Sequence, residues 1–226
     1  VASLVGSEMC IRDSSKSDQN FFLAVGFFKP HTPYVAPKKY FDMYDISEID
    51  IPQMNNEFLN TIPEPAAVSL RHKADGKGNQ YDLKKTEAQE IKRAYYATIT
   101  FLDAQVGRII KKLKKTGLDK ITIIVFSSDN VYHLGEQGHW QKQTLYEKTT
   151  RVPLIFSGPG IKKGTRSNSP VELIDMYPTL MELTGIKAPD HVVGKSLVPI
   201  FNDSSYKIRN SAVSYTHLRA HETGYN

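Results

Sequence analysis

The chain has 226 residues, 40% hydrophobic and 23% charged, a composition that supports one sizeable core. No apolar run reaches the roughly eighteen residues of a membrane span. A formal charge of +5 and a pI of about 9.1 suit an anionic ligand, but the lysines are scattered, without an arginine-rich or aromatic-basic block, which argues against nucleic acid; the single cysteine, Cys10, excludes an internal disulfide framework and a Cys-based zinc site.

The opening VASLVGSEMCIRDS and the closing VSYTHLRAHETGYN show neither amphipathic period nor turn logic. Both are similar to translated sequencing-adapter strings, so residues 1–14 and 213–226 are read as non-native flanks, and Cys10, His217 and His221 receive no role. Next, residues 21–28 (FFLAVGFF) form a continuous apolar run that predicts a strand buried on both faces. Pro30 and Pro33 stop it and stiffen a loop that displays Lys29 and His31. Residues 37–85 predict a short helix at 37–44, a meandering segment, a second short helix at 64–71 and a polar loop at 75–79. Such an excursion either faces a substrate or only covers the sheet.

A long helix is expected from Thr86, with Thr86 and Gln89 as a capping box and Gly117 as its stop. Its apolar face should be Ile91, Tyr95, Ile99, Leu102, Val106, Ile109 and Leu113, with Asp103 a buried hydrogen-bonding post beside it. Lys111, Lys112, Lys114 and Lys115 read as a solvated helix end. Residues 121–126 then predict a buried strand, 151–156 another, and residues 169–180 a cap and a helix ending near Gly185. Strand and helix in alternation predict an α/β fold, a doubly wound and mostly parallel sheet flanked by helices.

Between the last two strands lies SSDNVYHLGEQGHWQK, residues 127–142. It sets Asp129 and Asn130 just past a strand end, where open α/β sheets keep their chemistry. A carboxylate and an amide oxygen side by side are the hard donors that Ca²⁺ or Mg²⁺ prefers, although the same pair is common in turns, and two donors do not complete a shell of six to eight. Lys142 can place a point charge on an anionic group or simply be solvated. His31 can hand a proton to a leaving oxygen if it lies across the crevice from Asp129.

These segments resemble the sulfatases. The resemblance rests on His31-Thr32-Pro33 within FFLAVGFFKPHTPYVAP, on SDNVYHLGEQGHWQK followed by TLYEKTTRVPLIFSGPG, and on VELIDMYPTLMELTGI with PDHVVGKSLVPIF. It is strongest toward the iduronate-2-sulfatase-like branch of the alkaline-phosphatase-like superfamily and runs from about Asn20 to Asp203. It implies an alkaline-phosphatase-like fold and hydrolysis of a sulfate ester, of a sulfated small molecule or glycan, by a formylglycine nucleophile beside one Ca²⁺ ion. By motif match, Asp129 and Asn130 are implied as metal ligands, Lys142 as the sulfate-binding lysine, and His31 as the histidine that contacts the sulfate and assists departure of the alcohol. His133 and His139 are implied on the substrate side of the pocket, and Arg151 as a strand anchor through an ion pair. A periplasmic or secreted location is implied as well, with no membrane or nucleic-acid partner.

Two departures matter. Val131 stands where the family usually has glycine, and the nucleophile motif, Cys or Ser two residues before Pro or Ala and four before Arg, is absent, as is the amino-terminal pair of metal-binding aspartates. Residues 15–212 are therefore expected to be a partial sulfatase catalytic domain, inactive alone. The alternatives are a phosphodiesterase or phosphonate hydrolase of the same superfamily, and a non-catalytic anion-binding module.

Overall fold

The computed structural model describes the chain apart from residues 1–9, 12, 16–19, 53–55, 72–82, 141, 143 and 215–226. It divides into two compact units, one of residues 1–119 with 130–142, the other of residues 120–129 with 143–226.

The first unit is built on one long helix. Its elements are α1 (Lys38–Phe41), α2 (Asn56–Leu59), α3 (Glu64–Arg71) and α4 (Lys85–Thr116). The expected short helices are thus present, that at 64–71 with the bounds read from the sequence, while the polar loop at 75–79 lies outside the described residues. Glu87 sits in the first turn of α4 and Lys114 and Lys115 in the last, each charge opposing the nearby end of the helix dipole. Gly117, at φ 77°, turns left-handed and donates its N–H to Leu113 and Lys114, which closes the helix as glycine permits.

The expected capping box is not formed. Lys84 is the cap residue and offers no side-chain bond, and the Gln89 amide donates instead to the Ile49 carbonyl at 3.0 Å. Lys92 likewise donates to Asp50 O at 2.7 Å and Arg93 to Phe41 O at 3.3 Å. Tyr40 packs on Phe101 and Tyr44 on Tyr96, with ring centroids 5.3 and 5.5 Å apart. Residues 40–50 make little regular structure of their own, so α4 side chains satisfy their carbonyls. This part of the excursion serves as cover.

The buried line of α4 differs from the expected stripe. Ala88, Ala97, Thr98 and Leu113 are buried, Ile99 is 39% exposed, and Asp103 is exposed rather than a buried post. Two steps of four, from Ile91 to Ile99, swing a side chain about 80° around a helix of 3.6 residues per turn. The face accordingly moves to Ala97 and Thr98, small enough for close approach.

The expected strand at residues 21–28 runs extended but belongs to no ladder among the described residues. Its odd-numbered side chains are half-buried and its even-numbered ones exposed, Phe22 by 87% and Phe28 by 65%. A continuous apolar run predicts cover on two faces, and within this chain only one is covered.

The second unit holds β1 (Ile124–Ser127), α5 (Glu147–Thr150), β2 (Leu154–Ser157), α6 (Met176–Leu183) and α7 (Val198–Asn202). A mostly parallel sheet was expected, but the sheet among the described residues is two strands, β1 and β2, paired antiparallel, with Ile124 opposite Ser157 and Ser127 opposite Leu154. Both start three residues later than expected. Ile121 is 74% exposed ahead of β1, and residues 147–150 coil into α5 before Pro153, which has no N–H to give a ladder. After β2 the chain turns at Gly158, φ 146°, where an added Cβ would lie 2.7 Å from Thr122 O. Only glycine fits that approach.

In the same unit, Asp175 is fully buried at the head of α6. Its carboxylate accepts from the Glu172 and Lys195 backbone N–H groups, each at 2.8 Å, and from both terminal nitrogens of Arg209, also at 2.8 Å. Arg209 further pairs with Glu172 at 2.6 Å, and Glu172 accepts from Val213 N. A buried charge costs several kcal/mol unless it is paired and fully bonded, and this one is. The clasp ties residues 172–175, 195 and 209–213 together.

Candidate anion and metal site

The candidate residues stand on three segments, the end of β1 in the second unit and loops 29–34 and 130–142 in the first. Ser127, last in β1, donates its hydroxyl to Pro153 O at 3.0 Å and fixes the strand end. Asp129 follows, exposed, in the second unit, and Asn130, also exposed, opens the loop of the first. The Asn130 amide oxygen accepts the Val131 N–H at 3.2 Å, a local bond that aims the side chain along its own backbone.

His31 follows the extended run, as expected, between two cis peptide bonds at Lys29-Pro30 and Thr32-Pro33. Its Nδ1 lies 2.8 Å from Thr32 O. A carbonyl can only accept, so Nδ1 carries a proton and Nε2 is the ring atom through which His31 can exchange one. The ring leans on Phe28, centroids 4.9 Å apart, while Lys29 turns back to donate to Pro33 O.

Three tyrosines hold these loops in one unit. Tyr34, three residues past His31, meets Tyr132, two past Asn130, edge to face with centroids 6.1 Å apart. Tyr95 of α4 packs on both, at 5.7 Å from Tyr34 and 6.0 Å from Tyr132. Burial first, then the neighbouring Tyr132 hydroxyl, pushes the Tyr34 phenol far above its ordinary range; burial also raises Tyr95, so both stay neutral. Sequence reading counted Tyr95 as core and passed over Tyr34 and Tyr132. The aromatic one residue past the HTP motif was the available signal.

Loop 130–142 is closed on itself before it reaches Lys142. Glu136 accepts the Leu134 N–H at 2.7 Å, Gly135 donates to His139 O at 2.9 Å, and Gly138 donates to Gly135 O at 3.0 Å. Gly135, at φ 100°, leaves 3.1 Å between a would-be Cβ and the Trp140 ring, so that Trp140 can fold back onto Leu134 and Ala88. His133 and His139 are 0% and 2% exposed and stack on each other, centroids 5.1 Å apart. They were expected on the substrate side of the pocket; here their rings are covered and carry the loop. Burial, then the nearby His133, lowers the His139 pKa to about 4, so this ring is neutral near pH 7. Lys142 is half-buried at the end of the loop. Arg151 makes the ion pair expected of it, with Glu147 at 2.9 Å, but both partners are about three-quarters exposed and the pair stays within one helical turn.

Asp129 and Asn130 offer oxygen donors suited to Ca²⁺, which fits that ion in kind. In number they fall short: among the described residues no three His, Cys, Asp or Glu side chains gather as a metal site.

Comparison with known proteins accounts for the segments together. The sulfatase family profile matches residues 8–186. A sulfatase of Formosa agariphila is 39% identical over 80% of this chain and 35% of its own length, and human iduronate 2-sulfatase 30% identical over 75% and 36%. Among solved structures, the phosphonate monoester hydrolase of Silicibacter pomeroyi superposes with a TM-score of 0.74 at 29% identity, over 85% of this chain and 39% of that one. The fold class is the expected α/β, alkaline-phosphatase-like one, shared with these neighbours, and the chain spans about a third of the length of its curated relatives. This chain belongs to the sulfatase family.

Proposed function

We propose that the protein of which this chain is a part hydrolyses sulfate esters of sulfated carbohydrates. The match to the sulfatase family over residues 8–186 carries this reading, and the name of human iduronate 2-sulfatase supports a sulfated sugar as substrate. Lys142 sets its ammonium against the sulfate oxygens, where negative charge is stabilised as the ester cleaves. His31, held by Thr32 through Nδ1, gives a proton from Nε2 to the departing alcohol oxygen. Asp129 and Asn130 would hold a Ca²⁺ ion together with further carboxylates, and the ion would supply a fixed positive charge for the sulfate. A formylglycine from outside these 226 residues supplies the nucleophile. Residues 15–212 are a part of the catalytic domain, and a periplasmic or secreted location goes with this reading.

The test is an assay of the whole gene product, matured with a formylglycine-forming enzyme, on an aryl sulfate. Turnover is expected, lowered about 10²–10³-fold by Lys142→Ala, the usual loss when a group stabilising transition-state charge is removed. The 226-residue chain alone should show none. A second reading has its own support, the TM-scores of 0.74 and 0.77 to two phosphonate monoester hydrolases. Faster turnover of a phenyl phosphonate than of the aryl sulfate would establish that reading and refute the first.

A further inference from the structure

The second unit contains a cleft that the chemistry above leaves unused. Its volume is about 300 Å³ and it is lined by Arg166, Asn168, Ser169, Ser204, Ser205 and Lys207. The two walls, residues 166–169 and 204–208, are bonded to each other: Ser167 donates its hydroxyl to Ser204 O at 2.8 Å, and Ile208 N–H donates to Ser169 Oγ at 3.0 Å. Ser169 N–H also donates to Ser167 Oγ at 3.2 Å. The cleft is therefore preformed.

Its charge is one-sided. Arg166 and Lys207 stand on these walls, with Lys162, Lys163 and one carboxylate, Asp203, in the residues just before them. The Ser205 hydroxyl and N–H both donate to Asp203 Oδ1, at 2.6 and 2.9 Å, and keep that carboxylate occupied. Among the described residues neither Arg166 nor Lys207 is in an ion pair. Two exposed cations alone would be a solvated surface. Here they line an open cleft together with hydroxyl and amide groups that can bond a polyhydroxylated ring, and its volume is at the low end of roughly 300–1,000 Å³ for small-molecule sites.

We propose that this cleft binds a sulfated sugar ring, its sulfate between Arg166 and Lys207 and its hydroxyls on Ser204, Ser205 and Asn168. The proposal deepens the sulfated-carbohydrate reading and rests on it for the choice of ligand. It uses neither His31 nor any of residues 129–142.

The experiment is an NMR titration of the ¹⁵N-labelled whole gene product, not matured to formylglycine, with N-acetylglucosamine 6-sulfate, N-acetylglucosamine and inorganic sulfate. The sulfated sugar should move the Ser169, Ser204 and Ser205 amides, with each of the other two at least about tenfold weaker. Arg166→Ala combined with Lys207→Ala should abolish these shifts at unchanged circular dichroism, since both side chains are exposed, while Lys142→Ala leaves them. Equal response to the unsulfated sugar or to bare sulfate, or shifts that survive the double substitution, overturns the proposal. Failure here leaves the aryl sulfate assay untouched, and failure of that assay leaves these shifts standing.

Discussion

Loop 130–142 and the Arg209 clasp are both buried and both polar, yet they are held by opposite means. In the clasp every charge of Asp175 meets a donor, two from Arg209 and two from backbone N–H groups. The loop instead buries two imidazoles stacked on each other, in the same stretch whose Leu134 and Trp140 join the apolar cluster with Ala88. The clasp tolerates its charges because they are fully bonded; the loop favours a neutral His139, whose pKa is lowered by burial and then by His133. Full compensation tolerates charge in a protein interior, and burial of an imidazole that lowers its pKa makes stability depend on pH.

The largest effect should follow from breaking the clasp. Asp175→Ala leaves Arg209 facing Glu172 alone and strips two backbone donors, so a loss of about 3–5 kcal/mol is expected. Hydrogen exchange should show it as lost protection at residues 195–213. Unchanged protection there would mean the clasp is ornamental.

Acid should act on the loop next. The folded His139 pKa of about 4 lies below the ordinary value of 6.5, so between them the unfolded chain binds more protons than the folded one. Stability is therefore full above pH 6.5 and falls as the pH drops toward 4, by on the order of 2–3 kcal/mol in all. Trp140 is the sole tryptophan and sits in this loop, so its fluorescence in urea reports the change directly. A midpoint that does not move between pH 7 and 5 would contradict the loop's dependence on neutral imidazole.

Smaller effects sharpen the contrast. Gly135→Ala places a methyl group 3.1 Å from the Trp140 ring at φ 100° and should cost about 1–3 kcal/mol, read by the same fluorescence. Arg151→Ala removes an ion pair that is mostly in water, for which a change of less than about 0.5 kcal/mol is expected in thermal unfolding. A larger loss would show that the pair anchors its strand after all.

Much of this was legible in the sequence, for identifiable reasons. The strand-end position of Asp129, the helix at Glu64–Arg71, the Gly117 stop and the turn at Gly158 each follow from local signals, an apolar run or a glycine the backbone requires. The residues that resisted reading answer to distant partners. Gln89 left its capping box for Ile49, Ile99 rotated off the buried face, and residues 21–28 found cover on one side rather than two. Nothing local marks His133 and His139 as a buried stack rather than a pocket lining, because a lone histidine fits either.

By itself, then, the sequence determined the family and the α/β class, since these depend on residue type and order. Tertiary structure alone decided that three tyrosines clamp the two loops into one unit, that Asp175 rather than Asp103 is the buried carboxylate, and that the loop carrying Lys142 stands on neutral imidazole. Each of these turns on which side chains exclude water from one another, and that is settled by contacts between residues far apart in the chain.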